Sequence, residues 1–193
     1  LAVAIRVESG VSLFVRPAFI SREHPLAWVS GPFNAVSVYG HATGHTLYYG
    51  RGAGGRPTAS AVVADVIGIG LGTLPAVFEH RGFFQDVNSD TRQVPVEDTD
   101  GRFYLRAMVD DEPGVLAQIS SILGSHGISI ASVLQQAPEE DGNDRVAIVI
   151  TTHRCREGML RQALKEVDAL PTTDARSTAI PIVEEHPEKF VRH

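Results

Sequence analysis

The sequence predicts an α+β protein in two parts: a mostly antiparallel sheet with a returning helix, then a module of alternating strands and helices. Three observations carry this reading. Four short apolar runs, separated by turn residues, fill residues 1–49. A glycine-dense loop at 50–55 then leads into a helix rich in small residues. After Gly101 the hydrophobic period switches repeatedly between two and 3.6, in the order strand, helix, strand, strand, helix, strand.

The first elements follow from turn chemistry. Residues 1–7 and 11–16 read as strands joined at Glu8-Ser9-Gly10, and Pro17 ends the second. Residues 18–32 hold Pro25, Gly31 and Pro32 and read as a loop, with Trp28 packed over it. Residues 33–39 and 45–49 form a predicted hairpin around His41 to Gly44. A helix is expected from Pro57 to Ile69, because a proline in the first turn removes an N–H that has no partner there anyway. Its broad apolar stripe is Ala59, Val62, Val63, Val66 and Ile67, and Gly68, Gly70 and Gly72 are read as its end. Residues 74–100 are mixed, and 85–101 read as a polar connection between domains.

The second part is more sharply patterned. Phe103, Leu105, Ala107 and Val109 alternate along a strand. Residues 110–114 turn the chain into a helix over 114–126 with Val115, Leu116, Ile119, Ile122 and Leu123 on one face, stopped by Gly127. Residues 128–136 and 145–151 read as strands joined by a turn at Asp141-Gly142-Asn143. A helix over 156–169 buries Leu160, Ala163, Leu164 and Val167. A last strand over 178–183 contains Pro181, which places it on an edge. The order βαββαβ is the ferredoxin-like plan. The domains expected are 1–84, a connection at 85–101, the module at 102–185 and a tail at 186–193.

Composition narrows the function. The 193 residues include 43% hydrophobic types, enough to bury a real core, and carry a formal charge of −6. No basic block appears, so nucleic acid is not an expected partner. No apolar run approaches the roughly 18 residues of a membrane span, and no signal peptide is visible. The one cysteine, Cys155, excludes a disulfide framework and points to a reducing compartment. The histidines show no metal-binding spacing, so no metal site is expected. Lysine occurs only at 165 and 189, so chemistry that needs a lysine earlier in the chain is excluded.

Two stretches offer binding chemistry. The first is the glycine loop. Gly50-x-Gly52-x-x-Gly55, entered from a strand and left by a helix, matches the dinucleotide pattern in spacing. Free N–H groups and the positive end of a helix dipole make such a turn an anion cradle. However, the residues before the connection leave no room for a parallel sheet, so a self-contained dinucleotide domain is disfavoured. The plain alternative is a tight turn in which glycines permit positive φ. An intermediate reading makes the loop and helix the completion of a nucleotide-binding region lying outside these residues. The second stretch is Asp111-Glu112-Pro113-Gly114-Val115-Leu116. Its N–H groups could take the carboxylate of a small amino acid, and Asp111 its ammonium; the alternative is an ordinary capped helix.

These residues also carry a family likeness. HPLAWVSGPFNAVSVYG followed by YYGRGAGGRPTASAVVADVI resembles the closing part of the catalytic region of homoserine dehydrogenases. RFYLRAMVDDEPGVLAQISSILGSHGISIASVLQQ and AIVITTHRCREGMLRQAL resemble their C-terminal ACT domain. The resemblance implies an NAD(P)-dependent oxidoreductase that interconverts homoserine and aspartate semialdehyde, is cytoplasmic, and forms dimers or larger oligomers. It implies cofactor contacts near Gly50, Gly52, Ala53 and Gly54, with Gly52 foremost. It further implies a regulatory amino acid, threonine, at Asp111, Gly114, Val115 and Leu116. The family's nucleotide fingerprint and catalytic lysine have no counterpart here, so no catalytic residue is assigned, a C-terminal part of the enzyme is expected, and no cofactor is expected on it alone. The helix at 57–69 should then expose an apolar face. Two other readings stay open: a free-standing, non-catalytic amino-acid sensor and an independent nucleotide-binding protein. The reading frame upstream of Leu1 separates the dehydrogenase part from the free-standing sensor.

Overall fold

Alternation in two apolar strands sets the architecture. The computed structural model describes residues 1–81, 91–135 and 145–184. Strand β5 (Asp100–Asp110) and strand β7 (Arg145–Thr152) pair antiparallel, with Leu105 opposite Ile150 and Ala107 opposite Ile148. Strand β6 (Ile130–Gln135) flanks β7, and β9 (Thr178–Ile182) flanks β5, giving the order β6-β7-β5-β9 with every pairing antiparallel. Helices α3 (Val115–Ser125) and α4 (Glu157–Asp168) complete the βαββαβ order. Phe103, Leu105, Val109, Val146, Ile148 and Ile150 meet Val115, Ile119, Leu123, Leu160, Ala163 and Val167 in one buried cluster. The expected helix faces are therefore the buried ones, and Gly127 follows α3 as read from the sequence. A two-residue strand, β8 (Cys155–Arg156), pairs with the start of β5 and had no signal in the sequence. Cys155 is buried, and burial pushes its thiol up from the usual value.

The chain divides into two units, Leu1–Ile20 with Thr91–Glu184, and Ser21–Asp90 with Glu185–His193. This differs from the sequence reading, which kept 1–84 together. Strands β1 (Ala2–Val7) and β2 (Gly10–Val15) form the expected hairpin, but it packs with the second part of the chain. The Val11 N–H donates to the Arg92 carbonyl, and the Val94 N–H donates to the Val11 carbonyl. At Gly10 the backbones come so close that a Cβ would collide with the Arg92 carbonyl, so only glycine fits. Residues 91–101, read as part of a connection, are thus packed: Val94 and Thr99 are buried. The rest of that connection, the turn at 141–143 and the tail at 186–193 lie outside the described residues.

Arg16 follows β2 and reaches α4. Its guanidinium donates two 2.6 Å bonds to the Glu157 carboxylate, which Arg161 also contacts at 2.7 Å. Glu157 is 3% exposed. Burial alone pushes this carboxylate up, but the bonds from Arg16 and Arg161 outweigh it, so Glu157 lies below the usual carboxylate range. Arg161 also bonds Glu97 at 2.5 Å, tying down the short 3-10 turn at Val96–Asp98.

The second unit is built differently. Strands β3 (Phe33–Gly40) and β4 (Gly44–Arg51) pair as a two-stranded ribbon, with Val36 opposite Tyr48. The four early strands therefore make two separate hairpins rather than one sheet. Helix α1 (Gly55–Gly70) is two residues longer at its start than expected and contains Gly68 and Gly70; α2 (Thr73–Arg81) was not expected. No residue of α1 is buried, and Val62, Val63, Val66 and Ile67 are each more than half exposed. The apolar face foreseen for this helix is therefore open within the chain. Trp28, expected to pack over its loop, is 76% exposed. Among the described residues no single helix is long and apolar enough to cross a membrane, although α1 and part of α2, bent by 82°, together have the composition.

Two tests follow from this packing. Leu123→Ala empties a fully buried site and should destabilise the first unit by about 3 kcal/mol in chemical denaturation. The Glu157 contribution is fully present above the unfolded carboxylate value and is lost as pH falls through the lowered folded value. Stability of the first unit should thus decline below the usual carboxylate range. In Glu157→Gln that acid-dependent part should be missing, with a cost of about 3 kcal/mol near neutrality; an unchanged acid profile in the variant would remove Glu157 as its source.

Candidate functional site

The turn after β5 is shaped by local bonds. The Glu112 N–H donates to the Asp110 carbonyl at 2.9 Å, and the Asp110 N–H donates to the Thr172 carbonyl at 2.9 Å. Gly114 then takes φ +96°, a left-handed conformation that a side chain would strain, and serves as the N-cap of α3 without a side-chain cap. The next N–H groups of the helix, at Leu116 and Ala117, have no acceptor among the described residues. They face the end of the helix that favours negative charge.

A pocket of about 380 Å³ opens at this turn, lined by Asp110 to Leu116 with Gln135 and Ile148. All four residues expected for a regulatory ligand, Asp111, Gly114, Val115 and Leu116, line it. The structure adds Gln135, whose side-chain amide donates to Asp111 Oδ1 at 3.0 Å. Gln135 stands directly opposite Ile148 in the β6–β7 register. That placement depends on a cross-strand pairing and has no local signal in the sequence. Asp110 is engaged by Arg145 at 3.5 Å, and Arg145 also contacts Asp174. The pocket therefore offers carboxylates at its mouth, unpaired N–H groups at one wall, and apolar surface from the buried Val115 and Ile148. That combination suits a small zwitterion: ammonium toward Asp111, carboxylate toward the helix start.

The glycine loop is arranged otherwise. The Gly52 and Ala53 N–H groups both donate to the Pro32 carbonyl, at 3.1 and 3.4 Å. A Cβ at Gly52 would collide with the Asn34 side-chain amide, whereas Gly50 and Gly55 face open space. The glycine that the structure requires is thus Gly52, for close packing. The first and last glycines of the apparent dinucleotide pattern are not demanded by crowding. The N–H groups of Gly54, Gly55 and Arg56 have no acceptor among the described residues, and the first turn of α1 holds no acidic residue. These donors fit the edge of an anion. They do not fit a whole dinucleotide, because β4 pairs only with β3, antiparallel, and among the described residues no parallel strand adjoins the loop. Among the described residues no group of His, Cys, Asp and Glu is placed to hold a metal ion.

Comparison with known proteins agrees with both halves. Residues 1–67 match the homoserine dehydrogenase family, and residues 103–172 match the ACT domain. A homoserine dehydrogenase of Pseudomonas aeruginosa is 42% identical over 175 residues, which is 88% of this chain and 40% of that protein. One of Synechocystis is 40% identical over 165 residues, 83% of this chain and 37% of that protein. The crystal structure of a homoserine dehydrogenase from Thiobacillus denitrificans aligns with TM-score 0.81 at 36% identity, over 95% of this chain and 41% of that one. The chain thus spans about two fifths of the length of the relatives it matches. Through residues 1–67 and 103–172 together, it belongs to the homoserine dehydrogenase family and carries an ACT domain.

Proposed function

We propose that residues 1–193 serve an NAD(P)-dependent homoserine dehydrogenase, which interconverts L-homoserine and L-aspartate 4-semialdehyde, as its subunit-contact and amino-acid-sensing part. The observation that carries the sensing role is the pocket at the start of α3, where an acidic mouth, unpaired N–H groups and an apolar floor converge. Threonine is the effector this reading names. Its ammonium is placed by Asp111, its carboxylate by the N–H groups that follow Gly114, and its methyl group by Val115 and Leu116. Feedback is then a coupling free energy between this pocket and the reacting centre.

Subunit contact is supported by the open apolar surface of the β3–β4 ribbon, including Val36 and Tyr48, while the open face of α1, with Val62 and Val66, is read as packing on the nucleotide-binding part of the enzyme. A dimer or higher oligomer accounts for the open ribbon. Domain limits of 1–84 and 102–185 remain the functional division in this reading, with 1–20 packed on the sensing side. The glycine loop supplies at most an edge contact to the nucleotide, through Gly54 and Gly55, with Gly50, Gly52 and Ala53 shaping the turn. The cofactor itself would accept or donate the hydride, and no residue of this chain is assigned to that step. A single buried cysteine and the family's chemistry support a cytoplasmic location. The second reading, a non-catalytic amino-acid sensor, rests on the same pocket, lined by residues 110–116 with Gln135 and Ile148 and read as lying at an interface between ACT domains.

Calorimetric titration of the chain with L-threonine tests the sensing role. Saturable binding is expected, and at one hundred times Kd it should stabilise by about 2.7 kcal/mol. Asp111→Asn should weaken binding at least tenfold, or about 1.4 kcal/mol. Absence of heat and of any thermal shift with every proteinogenic amino acid at millimolar concentration would sink the sensing role. An assay of homoserine with NAD or NADP should show no turnover by the chain alone, and sedimentation should show a dimer or larger. Measurable turnover would overturn the placement of catalysis outside these residues.

A further inference from the structure

The hairpin β1–β2 poses a question that neither family match answers. It lies within the stretch matched to homoserine dehydrogenases, yet it is packed with the ACT-containing unit. Its attachments are specific. Val11 is bonded on both sides of the 92–94 backbone. Arg16 holds the buried Glu157 with two bonds. The Phe19 N–H donates to the Pro181 carbonyl and the Phe19 carbonyl accepts from the Val183 N–H, which adds residue 19 to the outer edge of β9. The Phe19 ring meets Tyr104 of β5 edge-on, with centroids 5.0 Å apart. Ser21, two residues on, begins the other unit.

The pocket is tied to the same edge. Asp110, in its lining, is bonded to Thr172 through its backbone and to Asp174 through Arg145. The Asp174 N–H donates to the Met108 carbonyl, and Ser177, just before β9, donates its N–H to Asp168. Residues 172–174 are thus paired with 108–110 beside the pocket, Ser177 is held to α4, and the chain runs directly on into β9, on whose edge Phe19 docks.

We propose that residues 1–20 are a strap whose docking on the ACT domain is coupled to occupancy of the pocket. A small amino acid bound at Asp111, beside Asp110 in the same pocket, fixes the 172–177 segment. That segment sets the edge on which Phe19 docks, and Arg16–Glu157 anchors the other end of the strap. The strap then passes the state of the pocket along the chain into the unit that begins at Ser21. This rests on the reading of the pocket as an amino-acid site. Coupling of this kind is reciprocal: what the ligand adds to docking, docking must add to ligand affinity.

Hydrogen exchange of the whole chain, with calorimetry, tests it. Saturating L-threonine should slow exchange of the Val11 and Phe19 amides by about tenfold, and Glu157→Gln or Arg16→Gln should weaken threonine binding by a similar factor. Equal threonine Kd in wild type and both anchored-end variants, or strap exchange indifferent to bound threonine, would overturn the proposal. A separate arm needs no ligand. Asp110→Asn weakens the Arg145 bridge from the pocket to Asp174 and should speed Phe19 exchange while leaving Leu123 protection unchanged. Should threonine fail to bind, this arm still decides: faster Phe19 exchange upholds the link and faults only the ligand assignment, whereas unchanged exchange overturns the link itself.

Discussion

A carboxylate taken out of water needs its charge answered where it is buried, and Glu157 is the point where this unit meets that demand. Two arginines answer it, one from its own helix and one from the far end of the sequence. The separation of 141 residues between Arg16 and Glu157 makes the pair a long-range constraint. Glu157 also sits at the first position of α4, where a negative charge is favoured by the helix dipole. Its N–H donates to the Thr99 carbonyl, which places the 96–99 turn against the helix start. At the next position, Gly158, an added side chain would crowd the Glu97 carbonyl. Hairpin, turn and helix are thus fixed by one buried charge, and the βαββαβ core supplies the platform.

The two units contrast in how they satisfy their apolar residues. In the first, a continuous cluster lies between one face of the sheet and two helices. In the second, the helix and ribbon leave Val36, Tyr48, Val63 and Ile67 at 54–65% exposure. A chain that spends this much apolar surface on solvent is not self-sufficient in that region. That agrees with its covering two fifths of the length of its relatives.

Elements ruled by local period were legible from the residues. Val115, Ile119 and Leu123 recur every four positions and are buried together, and the alternation in 103–109 gives β5 directly. Elements ruled by distant partners were not. Cys155 and Arg156 form a strand only because β5 lies beside them. That residues 111–116 share one pocket was readable because they are contiguous, whereas Gln135 joins them through register. Trp28 was misplaced because aromatic size suggests burial, but the loop offers nothing to cover it. The glycine spacing at 50–55 could not be weighed from the residues alone, for a related reason. A one-dimensional pattern cannot tell a glycine needed for close packing, as at Gly52, from one that merely faces open space, as at Gly50.

The docking of Phe19 on β9 bears on how the sheet meets its surroundings. Open strand edges invite pairing with other chains. At β9, Pro181 lacks an N–H to offer, and its carbonyl is already taken by Phe19. β6, at the opposite margin, pairs only with β7 among the described strands. Among the described residues the sheet is therefore one-sided at this end, with Pro181–Val183 covered by Phe19 and no further strand on β6. A one-sided sheet can meet its own copy across a twofold axis and stop there. It cannot add copies at both margins and grow into a fibre.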